Sequence, residues 1–280
     1  MSTVVIGGHG YVGSYLSRYL GADVGDLGWY GSQWCQPRFK PSDYDVIVDL
    51  AAYSALRNCD LDPEGAWETN VIRFRTLLEI LQPGQTLIYA SSASVYKSTG
   101  RPSREDDPVH PVRTYDMTKC VDDMLAQLAI AQGKTVIGLR FGTMAGLAPH
   151  TRTDLVVNSM TWDAITTGQV RVANADSSRT LLLLPDVAEA ISRVISCPHP
   201  GIYNLGSIHT TIGHIAEVVA EVTGAEIVPL DDENPYSFRI DSTKFLTTYG
   251  NYKRATLPDV IADLADGLPH VHRSRRDILP

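Results

Sequence analysis

The stretch that most constrains this chain lies almost at its N-terminus: Thr3–Gly13, TVVIGGHGYVG. Three apolar β-formers, Val4, Val5 and Ile6, run into glycines at Gly7, Gly10 and Gly13. An apolar, helix-compatible segment follows from Tyr11 to Leu20. This is the pattern of a buried parallel strand, a tight turn and a helix N-terminus. Glycine permits positive φ and close approach of backbone to ligand, and the free N–H groups of a helix start suit a pyrophosphate. The spacing is G-x-x-G-x-x-G rather than G-x-G-x-x-G, so a plain strand–helix connection stands beside the dinucleotide reading. On the dinucleotide reading Gly7, Gly10, Tyr11, Val12 and Gly13 form the phosphate turn.

At 280 residues the chain has room for one large domain or a domain with an appendage. No apolar run approaches the roughly 20 residues that span a bilayer. The first apolar run reads as a strand from residue 3, not as a leader, so no membrane association is expected. A net charge of −8 argues against nucleic acid as a partner. A small anionic ligand needs only one or two local arginines. The four cysteines (Cys35, Cys59, Cys120 and Cys197) form no C-x-x-C pair, which predicts free thiols in a reducing cytoplasm and no metal site.

Ala22–Leu27 reads as a short second strand ending near Asp26. A carboxylate there, ~20 residues after the first glycine, hydrogen-bonds an adenosine ribose and repels a 2′-phosphate, which favours NAD without excluding NADP. A solvated turn carboxylate is the alternative. Residues 28–44, with Pro37 and Pro41, are too short and aperiodic for a full helix and strand and predict an abbreviated crossover. Asp45–Leu50 is a buried strand running into Ala51 and Ala52. Small residues at such a strand end let a flat cofactor lie on the backbone, which nominates Leu50, Ala51 and Ala52. A helix follows over Pro63–Leu81, then a strand over Gln85–Ala90, a loop over 97–112, a helix over Arg113–Gln132 and a strand over Lys134–Arg140.

This alternation predicts an α/β fold, a doubly wound parallel sheet of Rossmann type, with residues 1–145 as its dinucleotide-binding domain. Beyond it come a helix at Leu155–Thr167, strands at Val170–Ala173 and Thr180–Leu184, and a helix at Pro185–Ser196. Further elements are a strand at Ile202–Leu205 and helices at Ile212–Val222 and Leu257–Leu268. Residues 146–280 are thus expected to form a smaller C-terminal α/β substrate-binding part that does not fold separately, with one helix and one strand returning to the main sheet. His270–Pro280 reads as a solvated, partly disordered end.

Tyr115 and Lys119 are four apart on one predicted helix and share a face. A phenol, with a reference pKa of about 10, is a poor base at neutral pH. A lysine ammonium beside it favours the phenolate. Ser92 follows the end of a central strand, where ligands of such sheets bind, and its hydroxyl can hold the oxygen that Tyr115 deprotonates.

Taken together, these residues resemble an extended short-chain dehydrogenase/reductase of the NAD-dependent sugar-nucleotide epimerase/dehydratase group, UDP-glucose 4-epimerase-like. The match comprises the turn Gly7–Gly13, Asp49-Leu50-Ala51-Ala52, Thr69-Asn70-Val71, Ser91–Tyr96 (SSASVY), Tyr115–Lys119 (YDMTK), Arg179–Asp186 (RTLLLLPD) and Tyr203–Ser207 (YNLGS). The resemblance implies that Ser92, Tyr115 and Lys119 are catalytic. It places Asn70 with Gly7–Gly13 and Leu50–Ala52 at the cofactor, and Lys119 on the nicotinamide ribose. Arg179 would hold the substrate diphosphate. A homodimer through the helices at 65–82 and 113–132 is implied as well.

Departures narrow the reading. The 4,6-dehydratases of the group carry an Asp-Glu pair where this chain has Ala93 and Ser94, so water elimination lacks its acid and base. The 3,5-epimerase–reductases have a cysteine where Ala93 stands. Thr143 replaces a frequent asparagine, and within His150–Asn158 (HTRTDLVVN) either Arg152 and Asn158 replace that contact or Thr153 or Asp154 merely caps a helix. Ser92, Ser94, Thr143, Asn158 and Arg179 are the expected substrate contacts. The resulting expectation is an NAD-dependent 4-epimerase of a nucleotide-linked sugar acting through a 4-keto intermediate. An NAD(P)H-dependent 4-ketoreductase and a silent nucleotide-binding scaffold are the alternatives.

Overall fold

The computed structural model describes residues 1–25, 40–96, 100–231 and 237–271 in full, and the backbone alone at 29–30, 33–34 and 272–276. The N-terminal half runs β1 (Thr3–Ile6), α1 (Tyr11–Leu20), β2 (Asp23–Gly25), a small hairpin of β3 (Trp29–Tyr30) and β4 (Gln33–Trp34), and β5 (Val46–Asp49). Then come α2 (Leu56–Leu61), α3 (Pro63–Trp67), one π turn (Glu68–Ile72), α4 (Arg73–Ile80), β6 (Thr86–Ser92), α5 (Thr114–Ala131) and β7 (Thr135–Phe141). The C-terminal half adds β8 (Thr143–Ala145), α6 (Val156–Thr167), β9 (Gln169–Ala173), β10 (Ser178–Leu183), α7 (Leu184–Ser196) and β11 (Gly201–Leu205). It ends with β12 (Ile208–Thr211), α8 (Ile212–Thr223), β13 (Glu226–Leu230), α9 (Thr243–Tyr249) and α10 (Leu257–Arg276).

Six strands form one parallel sheet in the order β11-β7-β6-β5-β1-β2. Alternation along each strand divides the apolar residues between its faces. Val5, Val48, Ile88 and Leu139 pack with α1, α7 and α9 through Leu16, Ile191 and Phe245. Val4, Ile6, Ile47, Leu87 and Tyr89 pack on the other face against α4 and α5 through Phe74, Leu77 and Ala126. Helices on both faces make the sheet doubly wound, as its strand–helix alternation predicts. β2 is one edge strand of this sheet, and among the described residues no further strand lies beside it. The abbreviated crossover expected over 28–44 falls largely outside the described residues.

β8, β10 and β12 form a second sheet and β9 pairs β13. Around them α6, α8 and α10 close a core of Val157, Val170, Leu181, Ile215, Val219, Ile261 and Leu264. β11 and α7 rejoin the main sheet. The last helix runs longer than its periodicity suggests. Its buried face ends at Leu268, but the helix passes through Pro269 to Arg276, so residues 270–276 are helical rather than a loose tail. Val271 is the single apolar residue in those added turns, too little to show a helical period. No helix among the described residues is long and apolar enough to cross a membrane.

Candidate active site

The strand order reverses beside β1: its chain leads to β2 on one side, and the return crosses to β5 on the other. Ligands of such sheets lie in the crevice at that reversal. Two glycines let the backbones meet there. Gly7 adopts φ +79, and a Cβ at this residue would stand 2.7 Å from the Ala51 nitrogen. One on Gly13 would stand 2.1 Å from the Gly7 carbonyl oxygen. Gly10 is the N-cap of α1 and no side chain caps it, so the first-turn N–H groups are left for an anionic ligand or water. A cavity of about 1200 Å³ opens from this turn. It passes Leu50, Ala51 and Ala52 and reaches Ser92, Ser94, Tyr115, Lys119, Thr143 and Arg152.

A buried ion pair fixes the cavity floor. Arg73 donates to both carboxylate oxygens of Asp49, at 2.9 and 3.0 Å, and to the Ala51 carbonyl at 2.6 Å. This fork geometry holds the loop after β5 in one place. The π turn before α4 carries Asn70, whose side chain accepts from the Tyr53 N–H (2.7 Å) and donates to the Tyr53 carbonyl (3.1 Å) and to Thr118 (3.0 Å). It therefore clips the end of the loop onto α5.

β6 delivers Ser92 to the cavity. Its Oγ lies 2.9 Å from Ser94 Oγ and accepts the Ser94 N–H at 3.2 Å. α5 presents Tyr115 in its first turn and Lys119 one turn later, with Nζ 6.0 Å from the phenol ring centroid. Lys119 Nζ donates to the Ala90 carbonyl at 3.0 Å and to Asp122 Oδ2 at 3.1 Å. Burial raises the Tyr115 phenol above its usual pKa, with the Lys119 charge and the Ser92 hydroxyl pulling it back. Burial works to lower Lys119, but Asp122 and Tyr115 outweigh it and the ammonium ends up raised. The set can take a proton from a substrate hydroxyl at Tyr115 while Ser92 holds the same oxygen.

Residues 3–206 match the family described as the NAD dependent epimerase/dehydratase family. The chain belongs to this family. Among its relatives, protein CapI of Staphylococcus aureus is 32% identical over 160 residues, 55% of this chain and 47% of that one. UDP-glucose 4-epimerase of Lactobacillus helveticus is 25% identical over 316 aligned residues, 94% and 95% of the two chains. Two solved structures share the fold. RMD from Pseudomonas aeruginosa complexed with NADPH superposes with a TM-score of 0.80 at 22% identity, over 98% of this chain and 100% of that one. UDP-glucuronic acid 4-epimerase from Bacillus cereus, in complex with UDP-glucuronic acid and NAD, gives 0.82 at 19%, over 97% and 100%.

In this family member the expected site residues are not all placed alike. Gly7, Gly10, Tyr11, Val12, Gly13, Leu50, Ala51, Ala52, Ser92, Ser94, Tyr115, Lys119 and Thr143 all line the one cavity. Asp26 lies outside the described residues. Asn70, expected at the cofactor, is committed to Tyr53 and Thr118 and is not part of the lining, so it holds the loop after β5 from behind.

Asn158, expected to touch substrate, is fully buried. It accepts from the Gly146 N–H (3.1 Å) and donates to the Tyr11 hydroxyl (3.0 Å) and the Arg152 carbonyl (2.9 Å). The start of α6 turns Asn158 inward and leaves Arg152 as the cavity side chain, braced by Asp154 at 2.6 Å and Ser54 at 3.1 Å. Arg179 also falls outside the lining. It donates to the Ser178 carbonyl (2.9 Å) and lies 5.7 Å over the ring of Phe238, which does line the cavity. Arg73 and Asp122 escaped the motif reading, although Asp122 sits at i+3 from Lys119, a spacing that puts both on one face.

Proposed function

We propose that the chain is an NAD-dependent 4-epimerase of a nucleoside-diphosphate sugar that acts through a transient 4-keto intermediate. The observation that carries this reading is the reacting end of the cavity. It presents Ser92, Tyr115 and Lys119 together, whereas Ala93 is buried in a small core with Val95 and Tyr96. A hydroxyl can be deprotonated there, but the positions that would serve water elimination hold no acid or base. The cradle fits NAD: Gly7 and Gly13 have no room for a Cβ, and the uncapped start of α1 adjoins them. Gly7, Gly10, Tyr11, Val12 and Gly13 would hold the pyrophosphate, Leu50–Ala52 the flat surface of the cofactor, and Lys119 the nicotinamide ribose. Bound NAD supplies a hydride acceptor at C4 that can later return the hydride to the opposite face.

Tyr115, as phenolate, takes the proton of the C4 hydroxyl and gives it back once the sugar has turned. Ser92 keeps its hydrogen bond to that oxygen through both halves of the cycle. Lys119 favours the phenolate by its charge. Arg152 adds a second positive charge that also favours the Tyr115 phenolate. Arg179, beside Phe238 at the cavity edge, is assigned to the substrate diphosphate, where a guanidinium can donate two parallel hydrogen bonds. The protein is proposed to be a homodimer. α5 exposes Met117, Met124 and Leu128, at 45%, 67% and 57%, along one stripe, and Trp67 on the neighbouring α3 is 41% exposed.

Mass analysis of nucleotide released by denaturing the fresh protein tests the reading. About one NAD per chain is expected, since an epimerase keeps its cofactor through the cycle. An empty protein that takes up NADPH in titration contradicts it in favour of a 4-ketoreductase.

A further inference from the structure

Lys119 does not stand alone at the cavity. Asp122, one turn further along α5, places Oδ2 3.1 Å from Nζ, is only 1% exposed and lines the same cavity. Its other oxygen, Oδ1, is buried and has no hydrogen-bond partner among the described residues. Burying such an atom unpaired costs stability. Lys119 does not need Asp122 to stay in place, because Nζ already donates to the Ala90 carbonyl at 3.0 Å. The next residue, Asp123, offers the contrast. Its two oxygens are taken by the Tyr89 hydroxyl at 2.7 Å and Arg140 at 2.8 Å, a structural employment that Asp122 lacks.

We infer that Asp122 discriminates between the oxidation states of the bound nicotinamide, favouring the oxidised over the reduced form by offsetting part of the charge of Lys119. This rests on the NAD reading of the cavity given above. The oxidised ring carries one positive charge and the reduced ring none. An uncompensated ammonium in a buried site penalises the cation, and a carboxylate paired to that ammonium reduces the penalty. In the cycle the C4 hydrogen leaves with two electrons as hydride while the hydroxyl proton goes to Tyr115, and both return. A site that prefers the oxidised form pushes the hydride back onto the sugar, so the keto intermediate does not linger.

The charged and titratable groups around Asp122 are Lys119, Tyr115 and Asp123 on α5, Asp49 with its partner Arg73, and Tyr89 on β6. Burial lifts its carboxyl to about 6; Lys119 lowers it, and Asp49 and Asp123 raise it. The carboxylate therefore predominates at pH 7.5 and is largely protonated at pH 5.

The test is to strip the full-length protein of nucleotide and measure the dissociation constants of NAD and NADH at pH 7.5 and pH 5, for wild type and Asp122→Asn. At pH 7.5 the variant is expected to lose preference for NAD over NADH by roughly tenfold, the effect of one pKa unit. For the bound two-electron couple that is about 30 mV. Lowering the pH to 5 should move the wild-type ratio toward that of the variant, a comparison that does not depend on the variant folding. An equal change in both affinities, with a wild-type ratio flat across pH, overturns the inference and leaves Asp122 a mere prop of Lys119. In that case the cofactor reading stands; binding of neither nucleotide overturns both.

Discussion

At Tyr115 two opposing influences meet on one phenol. Burial raises its pKa, while the Lys119 charge and the Ser92 hydroxyl lower it. Replacing Tyr115 with Phe removes the proton carrier and leaves the glycine cradle untouched. Turnover is expected to fall by about 10²–10⁴-fold, with the NAD content of the purified protein unchanged. Lys119→Met acts on the pH profile. The base form of Tyr115 is the deprotonated one, so activity rises with pH through its pKa. Removing the ammonium raises that pKa, and the acid limb of kcat should move to higher pH. An acid limb that stays where it is in the Met variant contradicts the charge role of Lys119.

β1, the turn after it and α1 form the element that carries the proposed cofactor cradle, and their limits are steric. A Cβ at Gly13 would stand 2.1 Å from the Gly7 carbonyl oxygen, and the atoms it meets are backbone. Gly13→Ala is therefore expected to purify without bound NAD, or with the turn displaced enough to lower its thermal midpoint. Asn158 acts between elements, joining Gly146 and Arg152 to Tyr11 on α1. Asn158→Ala leaves the Gly146 N–H and the Arg152 carbonyl without this partner, while Tyr11 keeps its bond to the Gly146 carbonyl, and should cost about 1–3 kcal/mol, read as a lower denaturant midpoint at unchanged slope. The glycine turn and the Tyr115–Lys119 pair were legible in the sequence because short-range spacing fixes which face a side chain occupies. Asn158 was not, since its partner Tyr11 is 147 residues away and only the packed lobes bring them together. The same holds for Arg179, whose place beside Phe238 is set by the return of the chain after β13. Short strands such as β8, three residues long, carry too little pattern to be read at all.

At the scale of the whole molecule, the doubly wound sheet and the C-terminal lobe meet around one cavity, and Tyr11 donates across it to the Gly146 carbonyl at 2.8 Å. The outer face carries the apolar stripe on α5 assigned to the dimer. Met124→Glu should convert the protein from dimer to monomer in sedimentation while leaving its circular dichroism unchanged; a monomeric wild type contradicts that assignment. The central claim is oxidation and return of hydride at C4 within one active site. It is tested most directly with UDP- and dTDP-linked hexoses carrying deuterium at C4, incubated with the protein without added cofactor. The account predicts interconversion of C4 epimers with the deuterium kept at C4 and no net NADH formed. Loss of the label to solvent, or conversion that proceeds only with added NADPH, contradicts it.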